Sequence, residues 1–124
     1  MGLDLARLLR SGDLVFIDSS HVIRPQGDVL YEYLELLPNV PNGVNIHIHD
    51  IYTPLDYPKN MVQNEVRFWN EQYLLEAILV NSDNYKVLAG LNFLKHNSFH
   101  ELSLICPHLA EEFEPGSIYL QKLM

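Results

Sequence analysis

Hydrophobic and polar positions along this chain follow two periods, and the change from one to the other marks its elements. Leu14-Val15-Phe16-Ile17 is an unbroken apolar run, the pattern of a strand covered on both faces. Val44, Ile46 and Ile48 alternate with Asn45 and His47, which reads as a strand with one apolar face. Between them, from Asp28 to Leu37, apolar residues recur at helical spacing (Val29, Leu30, Tyr33, Leu34, Leu37) around Glu32 and Glu35. Strand, crossover helix, strand makes a parallel pair whose carboxyl ends open at the same edge of the sheet. Those ends carry Asp18-Ser19-Ser20-His21 and His49-Asp50. Ligands of open α/β sheets bind beyond the carboxyl ends, so Asp18, His21, His49 and Asp50 are expected to meet in one place.

The flanking segments extend this picture. Leu3 to Leu9 predicts a short helix stopped by Ser11-Gly12. Ile51 to Met61 holds Tyr52, Pro54, Tyr57 and Pro58 without periodicity, and predicts a loop above the site. A helix is predicted from about Val66 to Val80, with Trp69, Tyr73, Leu74, Ala77, Ile78 and Val80 inward and Glu71, Gln72 and Glu76 outward. Tyr85 to Gly90 reads as a third strand, Leu91 to Leu109 as one or two short helices, and Ser117 to Lys122 as a closing, hairpin-like strand. The fold class is α/β, in a single domain over residues 1–124.

Composition narrows the function classes. With 48% hydrophobic residues the chain is globular, and a net charge of −8 disfavours nucleic acid and anionic membranes as partners. The single cysteine, Cys106, has no partner for a disulfide and no basic neighbour to activate it. No apolar run approaches a membrane span and no signal peptide opens the sequence, so a cytoplasmic protein is expected.

Three segments carry a family resemblance: Gly12-Asp13-Leu14-Val15-Phe16-Ile17-Asp18-Ser19-Ser20-His21, Gly43-Val44-Asn45-Ile46-His47-Ile48-His49-Asp50-Ile51 and Trp69-Asn70-Glu71-Gln72-Tyr73-Leu74-Leu75. Together they resemble class I S-adenosylmethionine-dependent methyltransferases, in a subgroup with an FID-x-x-H strand end followed by an HDI strand end. The resemblance covers nearly the whole chain. It implies the fourth to seventh strands of a Rossmann-like methyltransferase sheet, mostly parallel with an antiparallel last strand and flanked by helices. The implied function is the C-terminal portion of an O-methyltransferase acting on a small hydroxylated or saccharide acceptor. The family's glycine-rich cofactor loop has no counterpart, since Gly2, Gly12, Gly27, Gly43, Gly90 and Gly116 never cluster as G-x-G. The expectation is a truncated domain that does not hold S-adenosylmethionine alone and is inactive alone.

The resemblance also assigns residues. Some relatives orient acceptor hydroxyls with a divalent cation, which implies Asp18, His49 and Asp50 as metal ligands. The two carboxylates suit magnesium, whereas His49 leaves manganese, iron or zinc open, and equally a site with no metal, in which the matching histidine of metal-free relatives serves as base. Catechol-type relatives place a lysine base where His21 stands, which implies His21, with Asp18, as the catalytic pair. An imidazole of pKa about 6.5 can take a hydroxyl proton. Tyr52 and Tyr57 are candidates for a substrate wall.

Plainer readings stand beside these. His21 also fits a hydrogen-bonded loop histidine, His47 a packing histidine under a helix, and Trp69 and Tyr73 core anchors. His96, His100 and His108 are spaced for one helical face, though Asn97-Ser98 interrupts it. A metal-binding, hydrolase-like module on Asp18, His21, His47, His49 and Asp50 is a second functional reading. A non-catalytic association module is a third. If only half of the family sheet is present, Leu14 to Ile17 becomes a bare edge, and a symmetric homodimer through that strand is expected.

Overall fold

The computed structural model describes residues 4–124 and is α/β, with an open four-stranded mixed sheet and flanking helices. The strands are β1 (Leu14–Ile17), β2 (Asn45–His49), β3 (Tyr85–Gly90) and β4 (Ser117–Lys122), in the spatial order β1-β2-β4-β3. β1 runs parallel to β2 in the register Leu14 to Asn45 through Ile17 to Ile48. β4 is antiparallel to both β2 and β3, so three strands share one direction and the last opposes them.

The connection from β1 to β2 is one continuous helical rod, α1, over residues 28–39. Asp28–Tyr31 and Leu37–Asn39 are α-helical, and Glu32–Leu36 between them widens into a π-helical turn. Beyond β2, α2 (Lys59–Gln63) interrupts the long loop, and α3 (Glu71–Val80) leads to β3. Two short helices, α4 (Leu91–Asn97) and α5 (Phe99–Ile105), precede β4.

Val29, Tyr33, Leu36 and Leu37 of α1 and Leu75 of α3 pack on Ile17, Ile46, Ile48, Ile118 and Leu120 of the sheet. The opposite face holds Phe16, His47 and Tyr119 side by side, with His47 stacked on Tyr119 at 4.3 Å. The continuously apolar β1 is therefore covered on one face and not on both: Leu14 and Phe16 are exposed while Ile17 is buried. His47 likewise lies on the open face, bonded to Ser117 Oγ, instead of under a helix.

The third helix departs most from expectation. It begins at Glu71 rather than near Val66, because the preceding segment folds back: Arg67 N–H donates to the Met61 carbonyl, and Val66 takes a φ of +54°. Its inward face also differs. Glu71, Gln72 and Leu75 are buried, whereas Tyr73 and Val80 are exposed. Among the described residues no helix is long and apolar enough to cross a membrane.

Candidate functional site

Parallel pairing puts the carboxyl ends of β1 and β2 side by side. Asp18 follows Ile17, and Asp50 follows His49. Two residues beside the strand ends, His21 and Asp50, take left-handed backbone conformations, with φ of +61° and +59°. Such conformations cost energy in non-glycine residues and cluster at functional sites. Here the turn at His21 aims its ring back at the strand ends.

Four ligand-type atoms converge at this rim. His21 Nε2 lies 3.2 Å from Asp50 Oδ2 and 3.5 Å from Asp18 Oδ1. His49 Nδ1 lies 3.2 Å from the same Asp50 oxygen and 3.7 Å from the same Asp18 oxygen. His49 Nδ1 is itself buried and makes no hydrogen bond. Asp18, His21 and Asp50 each turn a ligand atom toward a common point, the cluster the described residues offer to a cation.

Glu71 and Tyr33 hold His21 from behind. Its Nδ1 lies 2.6 Å from Glu71 Oε2, and the other Glu71 oxygen accepts the Tyr33 hydroxyl at 2.8 Å. Both Glu71 and Tyr33 are fully buried. The His21 carbonyl accepts the Asn70 and Glu71 backbone N–H groups, and Asn70 Oδ1 accepts the Ile23 N–H. The start of α3 is thereby fastened to the His21 turn, and Trp69 covers the ring at 4.3 Å between centroids.

Electrostatics follow from this packing. Burial alone would depress the His21 pKa, but the Glu71 hydrogen bond and the charges of Glu71, Asp50 and Asp18 outweigh it and raise it above 6.5. Next to Glu71, burial first and then the charges of Glu71 and Asp28 push Glu32 up to about 7. Burial and the adjacent Glu71 carboxylate also raise the Tyr33 phenol, which stays protonated as a donor.

Asp18, His21, His49 and Asp50 are therefore gathered as the strand pattern implies. Tyr52 and Tyr57 are placed differently from a substrate wall. Both rings are buried, in a satellite cluster with Met61 and Trp69. The Tyr52 hydroxyl donates to Asp50 Oδ1 at 3.3 Å, and the Tyr57 hydroxyl accepts the Gln72 N–H at 3.0 Å. Tyr52 thus touches the site through Asp50. His96 stands apart from the rim, bonded to Glu114 at 2.9 Å.

Glu71 is the residue that helical periodicity misplaces. The signal for it lies in Tyr33, because a tyrosine on the buried face of a helix needs a partner for its hydroxyl. No protein-family model, curated protein or solved structure matches the chain.

Proposed function

We propose that this chain is the acceptor-side portion of an S-adenosylmethionine-dependent O-methyltransferase, in which Asp18, His49 and Asp50 hold a divalent cation that orients an acceptor hydroxyl. One observation carries the reading: parallel β1 and β2 deliver carboxylates and imidazoles to a single rim at the carboxyl end of the sheet. The antiparallel β4 supports it, being the strand direction that the resemblance implies for the end of a methyltransferase sheet.

The donor set fits a cation. Asp18 and Asp50 supply charged oxygens, and His49 Nδ1, buried without a hydrogen bond and 3.2 Å from Asp50 Oδ2, adds a nitrogen donor once it gives up any proton. A bound cation lowers the pKa of a coordinated hydroxyl and fixes its direction, which is the acceptor half of a displacement governed by positioning. The residues present do not fit S-adenosylmethionine itself. With no G-x-G in the sequence, no backbone cradle of the family type is available for the cofactor. Acceptor binding is therefore the role assigned to these residues, and the methyl donor is assigned to a glycine-rich unit elsewhere.

The coding sequence upstream of Met1 tests this directly. A glycine-rich strand–loop–helix encoded there is expected. Expressed together with this chain, it should transfer labelled methyl groups from S-adenosylmethionine to a catechol or saccharide in a cation-dependent way, with Asp50→Asn lowering the rate at least ~100-fold. An upstream region without such a unit, or a joined protein that neither binds the donor nor methylates, overturns the reading.

A further inference from the structure

We propose that His21 is a fourth ligand of this cation, that the complete two-imidazole, two-carboxylate set selects a transition-metal ion over magnesium, and that Glu71 and Tyr33 are the positioning residues that aim it. The inference rests on the cation reading above and goes further in naming the metal class and the residues behind the site.

The distances carry it. Two donors each about 2.1 Å from one ion stand roughly 3.0 to 3.4 Å apart at octahedral or tetrahedral angles. His21 Nε2 lies 3.2 and 3.5 Å from the Asp50 and Asp18 oxygens, in a group whose ligand atoms all fall within 4.8 Å of one another. His49 Nδ1, 3.2 and 3.7 Å from the same two oxygens, stands outside that group and joins it by moving toward the ion. His21 is the most buried of the four, and its ring cannot turn away, being held by Glu71 at Nδ1 and covered by Trp69.

The tautomer of the metal-bound form follows from the same bond. With Glu71 accepting from Nδ1, it is the Nε2 proton, facing the two aspartates, that a cation would displace, leaving the Nε2 lone pair as the ligand. A carboxylate behind a histidine in this way fixes ring orientation and strengthens the imidazole as a donor. The Tyr33 hydroxyl then holds Glu71, and so transmits the position of the π-helical turn of α1 to the ligand.

Magnesium prefers an octahedron of hard oxygens and gives up its water reluctantly. A site that spends half of its protein ligands on imidazole is matched instead to zinc, manganese or iron in the divalent state.

The test uses the purified chain, stripped of metal and titrated by calorimetry with zinc, manganese and magnesium chlorides. One zinc or manganese ion per chain is expected, with magnesium at least ~100-fold weaker. Glu71→Gln should weaken zinc binding by about 10- to 100-fold and Tyr33→Phe by several-fold, with far-ultraviolet circular dichroism unchanged. Nitrogen-15 spectra of His21 in the zinc-loaded chain should show a protonated Nδ1 and a metal-bound Nε2. Tyr33→Phe keeps the ring and serves if Glu71→Gln unfolds. Magnesium binding as tightly as zinc, or wild-type zinc affinity in a folded Glu71→Gln or in Tyr33→Phe, overturns this inference and leaves the cation reading standing. Failure of all three ions to bind removes both.

Discussion

At the scale of single residues, the chain concentrates buried charge behind one histidine. Glu71 has both oxygens engaged, one by His21 and one by Tyr33, so removing the Tyr33 hydroxyl leaves a buried carboxylate oxygen without its donor. Tyr33→Phe is expected to cost about 1–3 kcal/mol of folding stability, measurable by urea denaturation. Glu32 presents the opposite case. Its Oε2 is buried without a partner, and its pKa of about 7 lies above the ordinary 4.5. An acid with a raised folded pKa favours folding below its unfolded pKa, and that contribution is lost as pH rises through the folded value. Glu32 should therefore erode stability between about pH 4.5 and 7 as it ionises beside Glu71 and Asp28. Glu32→Gln should flatten that decline and be more stable than wild type at pH 8. Thermal melts at pH 5 and pH 8 check this, and an unchanged pH slope in the variant would count against it. The four rim residues were legible in the sequence because strand ends are short and sharply marked. Glu71 was not, since a charged residue on the outward side of the predicted helix reads as solvated until Tyr33 is known to lie opposite it.

At the scale of elements, strands proved easier to read than helix boundaries. Alternation over Asn45–His49 leaves one register that buries Ile46 and Ile48, and a one-residue slip would expose both. The start of α3 lacked such a constraint, because Val66 and Phe68 could extend its apolar pattern and are instead exposed ahead of it. Tertiary bonds from Asn70 and Glu71 to His21 decide where that helix begins. Glycines show how closely the elements are fitted. A Cβ on Gly116 would stand 2.8 Å from Tyr52 Cζ and 3.0 Å from the Asp50 Cα, between β4 and the rim. Gly116→Ala should displace Asp50 and weaken zinc binding although no ligand is altered, a loss that calorimetry would register. A Cβ on Gly43, whose φ is +83°, would collide with the Ser11 side chain. Gly43→Ala should cost more than ~1 kcal/mol, from both the left-handed backbone and the clash. A substitution there without loss in denaturation midpoint would show that the β1–β2 corner adjusts freely.

At the scale of the whole molecule, the sheet has an unguarded side. Among the described residues β1 pairs only with β2, so its outer edge offers unpaired N–H and C=O groups. Leu14 and Phe16 on the same strand are more than half exposed, at 58% and 56%. Pairing with a second copy across a two-fold axis would satisfy the edge and cover Phe16 at once. A net charge of −8 on each chain opposes that approach, and salt screens the repulsion while leaving apolar burial intact. Self-association at tens of micromolar is therefore expected to strengthen from low to moderate ionic strength, which is opposite to an interface built on ion pairs. Phe16→Lys should abolish it by placing a charge on the joined edge, without disturbing the buried Ile17 beside it. Sedimentation velocity across a salt series separates the outcomes: a dimer that tightens with salt and is lost in Phe16→Lys supports the edge, whereas a monomer at every salt concentration means that the exposed strand is tolerated in water.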